Sequence, residues 1–317
     1  MRRAAALLAA ALVLPSAAGR AAALDPVAVV TELHGDAGQV EVKRGSESGW
    51  EPAKPLLALR PGDQIRALGN ARAVLVFVGG RGQQVVSAVN SPFSVEVRDD
   101  GRVGERVRAV VGRVTEFLTG QQRDLDRVPV ASRTVLPPRV VILSPRNTRL
   151  LPGDVSFEWS GSESLRYRVR VSGPQGIVLE QTDLPRATVS YLSPAPLPSS
   201  DTAYAWELAA SNQQMEVALF DIVSETDTRR IREALELLTP ASLTGYSPST
   251  IVVLRAGLLI QERLYADARR ELVAGLAADP DEPTLHLLLG DVYERIGLVE
   301  IAAREFAEAR DRVGHRR

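Results

Sequence analysis

The sequence predicts a multidomain fold, all-β followed by all-α: two β-rich regions, then a short array of paired helices. Three observations carry that prediction. From Val27 apolar and polar residues alternate at period two, with turn residues about every 8–12 positions. After Leu136-Pro137-Pro138, about seven further short alternating runs fill 138–223. Two helical patterns then flank Gly297, and their small and large residues recur 34 positions earlier.

A chain of 317 residues has room for two or three domains, and 45% hydrophobic with 24% charged residues is globular composition. The formal net charge is −1, and loss of Arg2, Arg3 and Arg20 with a leader would leave about 35 basic against 39 acidic residues. That balance gives no electrostatic footprint for nucleic acid or an anionic membrane. There is no cysteine, which excludes disulfides, thiolate catalysis, cysteine metal sites and a lipidated N-terminal cysteine.

The N-terminus has the three parts of a secretory signal: Arg2-Arg3, an apolar run over 4–14, then Pro15 and small residues. Cleavage is expected after Ala18 or Ala23, giving a signal peptide at 1–23. The alternative is a retained short anchor, but the run is much shorter than the roughly 20 residues a membrane helix needs.

The first β-region is expected over 27–125. Gly35-Asp36 and Gly38 turn the chain between two strands, Pro61-Gly62-Asp63 and Leu68-Gly69-Asn70 turn it again, and 74–78 is a β-branched run suited to a buried strand. Gly79-Gly80-Arg81-Gly82 is a hairpin turn, because no Lys-Ser/Thr follows it and the next element is a strand. Trp50 is either a stacking platform or a core or rim aromatic. Over 97–127, alternation of Val103, Val107, Val110, Val111, Val114 and Phe117 favours strand over helix, and interleaved arginines and acids there form a solvated surface. Gly35, Val40, Val42, Trp50, Gly62-Asp63-Gln64-Ile65 and Gly69-Asn70-Ala71-Arg72-Ala73 carry a resemblance to the FecR domain of bacterial periplasmic proteins. The resemblance implies a small β-domain in the periplasm of a Gram-negative bacterium, acting as an envelope binding module or, alternatively, in envelope signalling.

A linker is expected at 126–137, then a second β-region over 138–223. Phe157-Glu158-Trp159, Tyr167-Arg168-Val169-Arg170-Val171 and Tyr204-Ala205-Trp206-Glu207-Leu208 alternate cleanly. The pattern is similar to an immunoglobulin or fibronectin type III sandwich, with Trp159 and Trp206 as core residues between two sheets.

The last region spans 225–317: a helix at 226–239 opened by Ser224, then units near 249–282 and 283–316. Gly290, Tyr293, Ala302, Phe306 and Ala309 repeat at Ala256, Leu259, Ala268, Leu272 and Gly275, and Ala234 and Leu238 lie one period earlier. This spacing resembles the tetratricopeptide (TPR) repeat, a helical solenoid whose groove binds protein partners. The resemblance implies that the first helix of each pair lines that groove and presents Gln261, Leu287, Asp291, Glu294 and Arg295, whose other reading is a solvated helix face. Leu298, Val299 and Ile301 are more apolar than a soluble cap needs.

The three histidines, His34, His286 and His315, share no metal-binding spacing, and no nucleophile motif stands out. Acid pairs Asp99-Asp100 and Asp281-Glu282 fall in turns and are expected solvated. No catalytic, cofactor-binding or metal residue is therefore assigned. The expected function is a non-enzymatic periplasmic scaffold: protein partners through the repeats, an envelope component through the β-regions. A FecR-type sensor and a peptidoglycan- or glycan-binding module are the alternatives.

Overall fold

The computed structural model describes residues 25–36, 38–45, 47–97, 104–123, 125, 140–185, 189–191, 197–198 and 200–313. The expected leader at 1–23, the linker at 126–137, Asp99-Asp100 and His315 lie outside the described residues. Among the described residues there are four sheets and six α-helices, so β and α regions coexist in one chain.

The first β-region contains β1 (Ala28–His34), β2 (Val40–Lys43), β3 (Glu51–Pro52), β4 (Ala58–Leu59), β5 (Gln64–Ala67), β6 (Arg72–Phe77), β7 (Gln83–Ser87) and β8 (Phe93–Ser94). They form two antiparallel sheets, β4-β1-β6-β7 and β3-β2-β5-β8. Ala28, Val30, Leu75 and Phe77 pack with Val40, Val42 and Ile65 between the sheets. Val29 and Val76 point the other way, into a core shared with the helices. Strands β1 and β6 are thus buried on both faces, which is why 74–78 reads as an unbroken apolar run.

The glycine turn after β6 has a second role. Gly79 and Gly80 adopt φ of 80° and 66°. A Cβ on Gly80 would lie 2.5 Å from the Arg108 carbonyl oxygen, and one on Gly112 would lie 3.1 Å from the Gly79 Cα. The bare backbones let helix α1 (Glu105–Thr119) rest directly on the turn. This helix corrects the strand expected over 97–127. Val107, Val110, Val111, Val114 and Leu118 recur at three- and four-residue spacing and are buried. Packing of that one face overrides the β preference of its valines.

The second β-region holds β9 (Val141–Ser144), β10 (Thr148–Leu150), β11 (Val155–Ser160), β12 (Tyr167–Gly173), β13 (Gly176–Leu184), β14 (Val189–Tyr191), β15 (Ser200–Ala210) and β16 (Glu216–Ile222). Sheets β10-β16-β15-β12-β13 and β14-β11-β9 enclose an aromatic core. Phe157 meets Trp206 edge-on with centroids 5.0 Å apart, and the Trp206 indole donates to the Pro145 carbonyl at 2.6 Å. Trp159 and Trp206 are both buried, as expected of core residues. On the outer face Leu219, Ala205, Ser172 and Ile177 stand in one cross-strand row, with Leu219 and Ile177 exposed.

Five helices follow: α2 (Glu225–Leu237), α3 (Pro248–Gln261), α4 (Tyr265–Ala278), α5 (Pro283–Arg295) and α6 (Val299–Val313). Ser224 and Ser247 cap α2 and α3, each hydroxyl accepting from the backbone N–H three residues on. Glycines sit where helices touch. A Cβ on Gly290 would meet the Phe306 ring at 2.5 Å, one on Gly275 would meet Val252 at 2.9 Å, and one on Gly257 would meet Val114 of α1 at 2.9 Å. Ala256, Leu259, Ala268, Leu272, Tyr293, Ala302, Phe306 and Ala309 are all buried, so each of these recurring positions faces a neighbour. Leu298 is buried too, whereas Val299 is exposed.

The two β-regions hold opposite ends of these hairpins. Strand β1 meets the N-terminal ends of α3 and α5, through Glu32 to Ser247 and Leu33 to Glu282. The β9–β10 segment meets the turns that follow α3 and α5. Arg149 N–H donates to the Arg263 carbonyl at 3.0 Å, and Arg146 Nε donates to the Ile296 carbonyl at 3.0 Å.

Candidate functional site

Three of the five groove candidates converge on one face of α5. Arg295 Nε donates to Asp291 Oδ2 at 2.7 Å, one helical turn back. Glu294, at 43% side-chain exposure, receives Arg123 in a fork: Nη1 to Oε1 at 3.0 Å and Nη2 to Oε2 at 2.5 Å. Arg123 also approaches Asp291 at 3.5 Å and lies 4.6 Å over the Phe306 ring. Arg295 Nη2 reaches back to Gln121 Oε1 at 2.8 Å. The chain leaving α1 therefore lies across this face, with a guanidinium held by two carboxylates and an aromatic ring. A bidentate, stacked arginine is the strong form of such a contact. The Glu294 ion pair raises the Arg123 pKa above the ordinary arginine value, more than burial lowers it.

The other two candidates lie elsewhere. Leu287 is buried in the helical core and has no groove surface to offer. Gln261 is exposed at the C-terminal end of α3, and no hydrogen bond among the described residues ties it to the Asp291–Glu294 cluster. The expected solvated face is thus part core, part ion-pair network. Arg123 departs from the solvated surface expected over 97–127, because nothing local in the sequence marks a contact 171 residues away.

A second constellation lies where β1 meets the helices. Successive even positions Glu32 and His34 share a face of β1, and a bulge between Val30 and Glu32 shifts the strand's register there. Glu32, 1% exposed, accepts Ser247 Oγ and Thr250 Oγ1 on Oε1 and contacts His34 Nε2 through Oε2 at 2.9 Å. Glu282, 0% exposed, caps α5: its Oε1 accepts the Thr284 N–H at 2.9 Å and its Oε2 the Leu33 N–H at 3.1 Å. His34 Nε2 lies 3.6 Å from Glu282 Oε2. Solvated turn carboxylates were expected at Asp281-Glu282. Asp281 is indeed 89% exposed, but Glu282 is turned fully inward as the α5 cap.

Burial pushes the Glu282 carboxyl up to about 8, against its hydrogen bonds with Thr284. For Glu32, burial also works upward, but His34, Ser247 and Thr250 together outweigh it and hold the carboxyl below its ordinary value. The hydrogen bond to Glu32 raises His34, more than burial lowers it, and Glu282 adds to the rise.

The remaining sequence candidates resolve as structure. Trp50 lies at the rim under Arg66, whose guanidinium is 4.2 Å from the ring centroid and pairs with Glu41. His286 bridges Glu305 at 2.8 Å and the Pro280 carbonyl at 3.1 Å. No helix among the described residues is long and apolar enough to cross a membrane. No known protein family matches this chain, and no curated protein matches it.

Proposed function

We propose that this chain is an exported scaffold of the bacterial cell envelope, binding a protein partner through a TPR-type helical array. A FecR-like β-domain and an immunoglobulin- or fibronectin-like sandwich attach it to an envelope component. The observation that carries this reading is Arg123 seated against Asp291, Glu294 and Phe306. A face that holds one arginine so completely has the chemistry to hold another, supplied by a partner segment that displaces residues 121–125. The exposed Leu219 and Ile177 row on the second β-region offers a separate apolar attachment surface. Two attachment points on one chain would add avidity without a new contact. Of the three tryptophans, Trp159 and Trp206 are buried and Trp50 is half-buried with Arg66 over its ring, which disfavours the open stacking a glycan reader uses.

The test is crosslinking and affinity capture in intact cells with the full chain, Arg123→Ala and Glu294→Ala. The expected result is one protein enriched by Arg123→Ala and lost with Glu294→Ala. Equal recovery with all three would remove the helical face from the account. Cell fractionation and N-terminal sequencing of the mature chain check the export step, with a new N-terminus after residue 18 or 23 expected.

A further inference from the structure

We propose that Glu32, His34 and Glu282 form a site for a divalent transition-metal ion, best matched by zinc, that joins β1 to the helical array. Their ligand atoms all lie within 4.8 Å of one another. His34 Nε2 is 2.9 Å from Glu32 Oε2 and 3.6 Å from Glu282 Oε2. Ligands each about 2.0–2.2 Å from a tetrahedral zinc stand roughly 3.3 Å apart, so these separations bracket that spacing.

The outer contacts are those a metal site needs. Ser247 and Thr250 hold the other oxygen of Glu32, and the Thr284 N–H holds the other oxygen of Glu282. Each carboxylate is fixed from behind and turns its second oxygen toward His34, that of Glu282 also accepting the Leu33 N–H at 3.1 Å. Among the described residues, His34 is the only basic side chain ion-paired with either acid. Once deprotonated, the two carboxylates and the neutral imidazole carry two negative charges, which a divalent ion balances, so the ion takes the place of the protons that Glu282 and His34 hold without it. The imidazole favours zinc and its neighbours over calcium or magnesium, which take all-oxygen shells. His34 is 19% exposed and gives the ion its route from solvent, with the fourth position left to water.

The experiment uses the untagged full chain, stripped with EDTA and titrated with zinc chloride by calorimetry at neutral pH. One equivalent is expected to bind and to raise the Tm by several degrees. Glu282→Gln and His34→Gln should each abolish that isotherm, and Thr250→Val should weaken it about 10- to 100-fold. Crystals grown with zinc should show an anomalous peak between the three side chains, about 2.0–2.2 Å from each ligand atom. This map settles the matter should a variant fail to fold. The proposal is overturned if zinc does not bind saturably, if binding survives both ligand substitutions, or if the peak lies elsewhere. Because the reagent is the metal alone, failure here leaves the partner-binding reading untouched, and loss of partner capture leaves this one untouched.

Discussion

The two β-regions hold the same helical hairpins in opposite ways. At the N-terminal ends, β1 inserts Glu32 beneath Ser247 and Thr250, and Glu282 caps α5 from a fully enclosed position. At the C-terminal ends, Arg146 and Arg149 reach main-chain carbonyls from partly exposed positions. Acids at helix starts and bases at helix ends both follow the helix dipole. The difference lies in desolvation. The two acids at the first end are enclosed, so Glu32 needs its partners to offset the cost of burying charge and Glu282 is pushed to keep its proton. The basic end keeps water nearby and can lose a contact cheaply.

Removal of one partner from each end separates them most sharply. Glu32→Ala removes the acceptor shared by two buried hydroxyls and the carboxylate partner of His34, and is expected to cost about 3–5 kcal/mol in chemical denaturation. A loss below about 1 kcal/mol would mean that water enters the site and that the ends are alike.

The acidic end should also answer to pH. Glu282 is raised from 4.5 to about 8, so the folded chain holds a proton the unfolded chain releases, and stability declines as pH rises across that window. His34 is raised from 6.5, so its contribution is full below that value and is lost as pH climbs through its folded pKa. Arg72, which also faces His34, opposes that rise without reversing it. Glu32 works the other way, its share being lost only as pH falls below its ordinary 4.5. In EDTA-treated protein the Tm is expected to fall by several degrees between pH 5 and 8. Glu282→Gln should flatten that slope, and a slope unchanged by the substitution would place the titration elsewhere.

Smaller effects belong to the basic end. Arg146→Ala is expected to cost about 1 kcal/mol, read from the denaturation midpoint. Salt should have the least effect of all. Molar sodium chloride screens the Arg149–Asp227 pair, whose Asp227 side chain is 38% exposed, while leaving the Glu32 site almost unaffected. A Glu32→Ala deficit that shrank in salt as much as an Arg149→Ala deficit would dissolve the distinction.

Legibility in the sequence tracks locality. Helix α4 (Tyr265–Ala278) falls inside the unit expected near 249–282, because its small and apolar residues and the Asp279-Pro280 break after it are local signals. Helix α1 misreads because five of its fifteen residues are Val or Thr on a face whose burial depends on α3 and the Gly79-Gly80 turn. The acidic site was illegible for a related reason. Glu32 and His34 show only an alternate-residue pattern, and Glu282 lies about 250 residues away with a turn's local chemistry. Its one local hint was position: an acid directly before Pro283, where a helix starts. Asp291, Glu294 and Arg295 share one face of α5 because they are spaced within a helical turn, but the side chain that meets them, Arg123, comes from beyond the repeat.

On the proposed partner-binding reading, Arg123 would set a threshold. A ligand tethered by a few residues acts at an effective concentration of order millimolar. If Arg123 alone binds its pocket at about 100 μM, any incoming arginine meets an apparent affinity roughly tenfold weaker than the open pocket would give. Single arginines scattered over the many proteins of a crowded compartment would then rarely open the face. Only a partner adding contacts beyond the guanidinium would overcome the residue already in place, so a contact that looks like mere packing would act as a filter on who is allowed to bind.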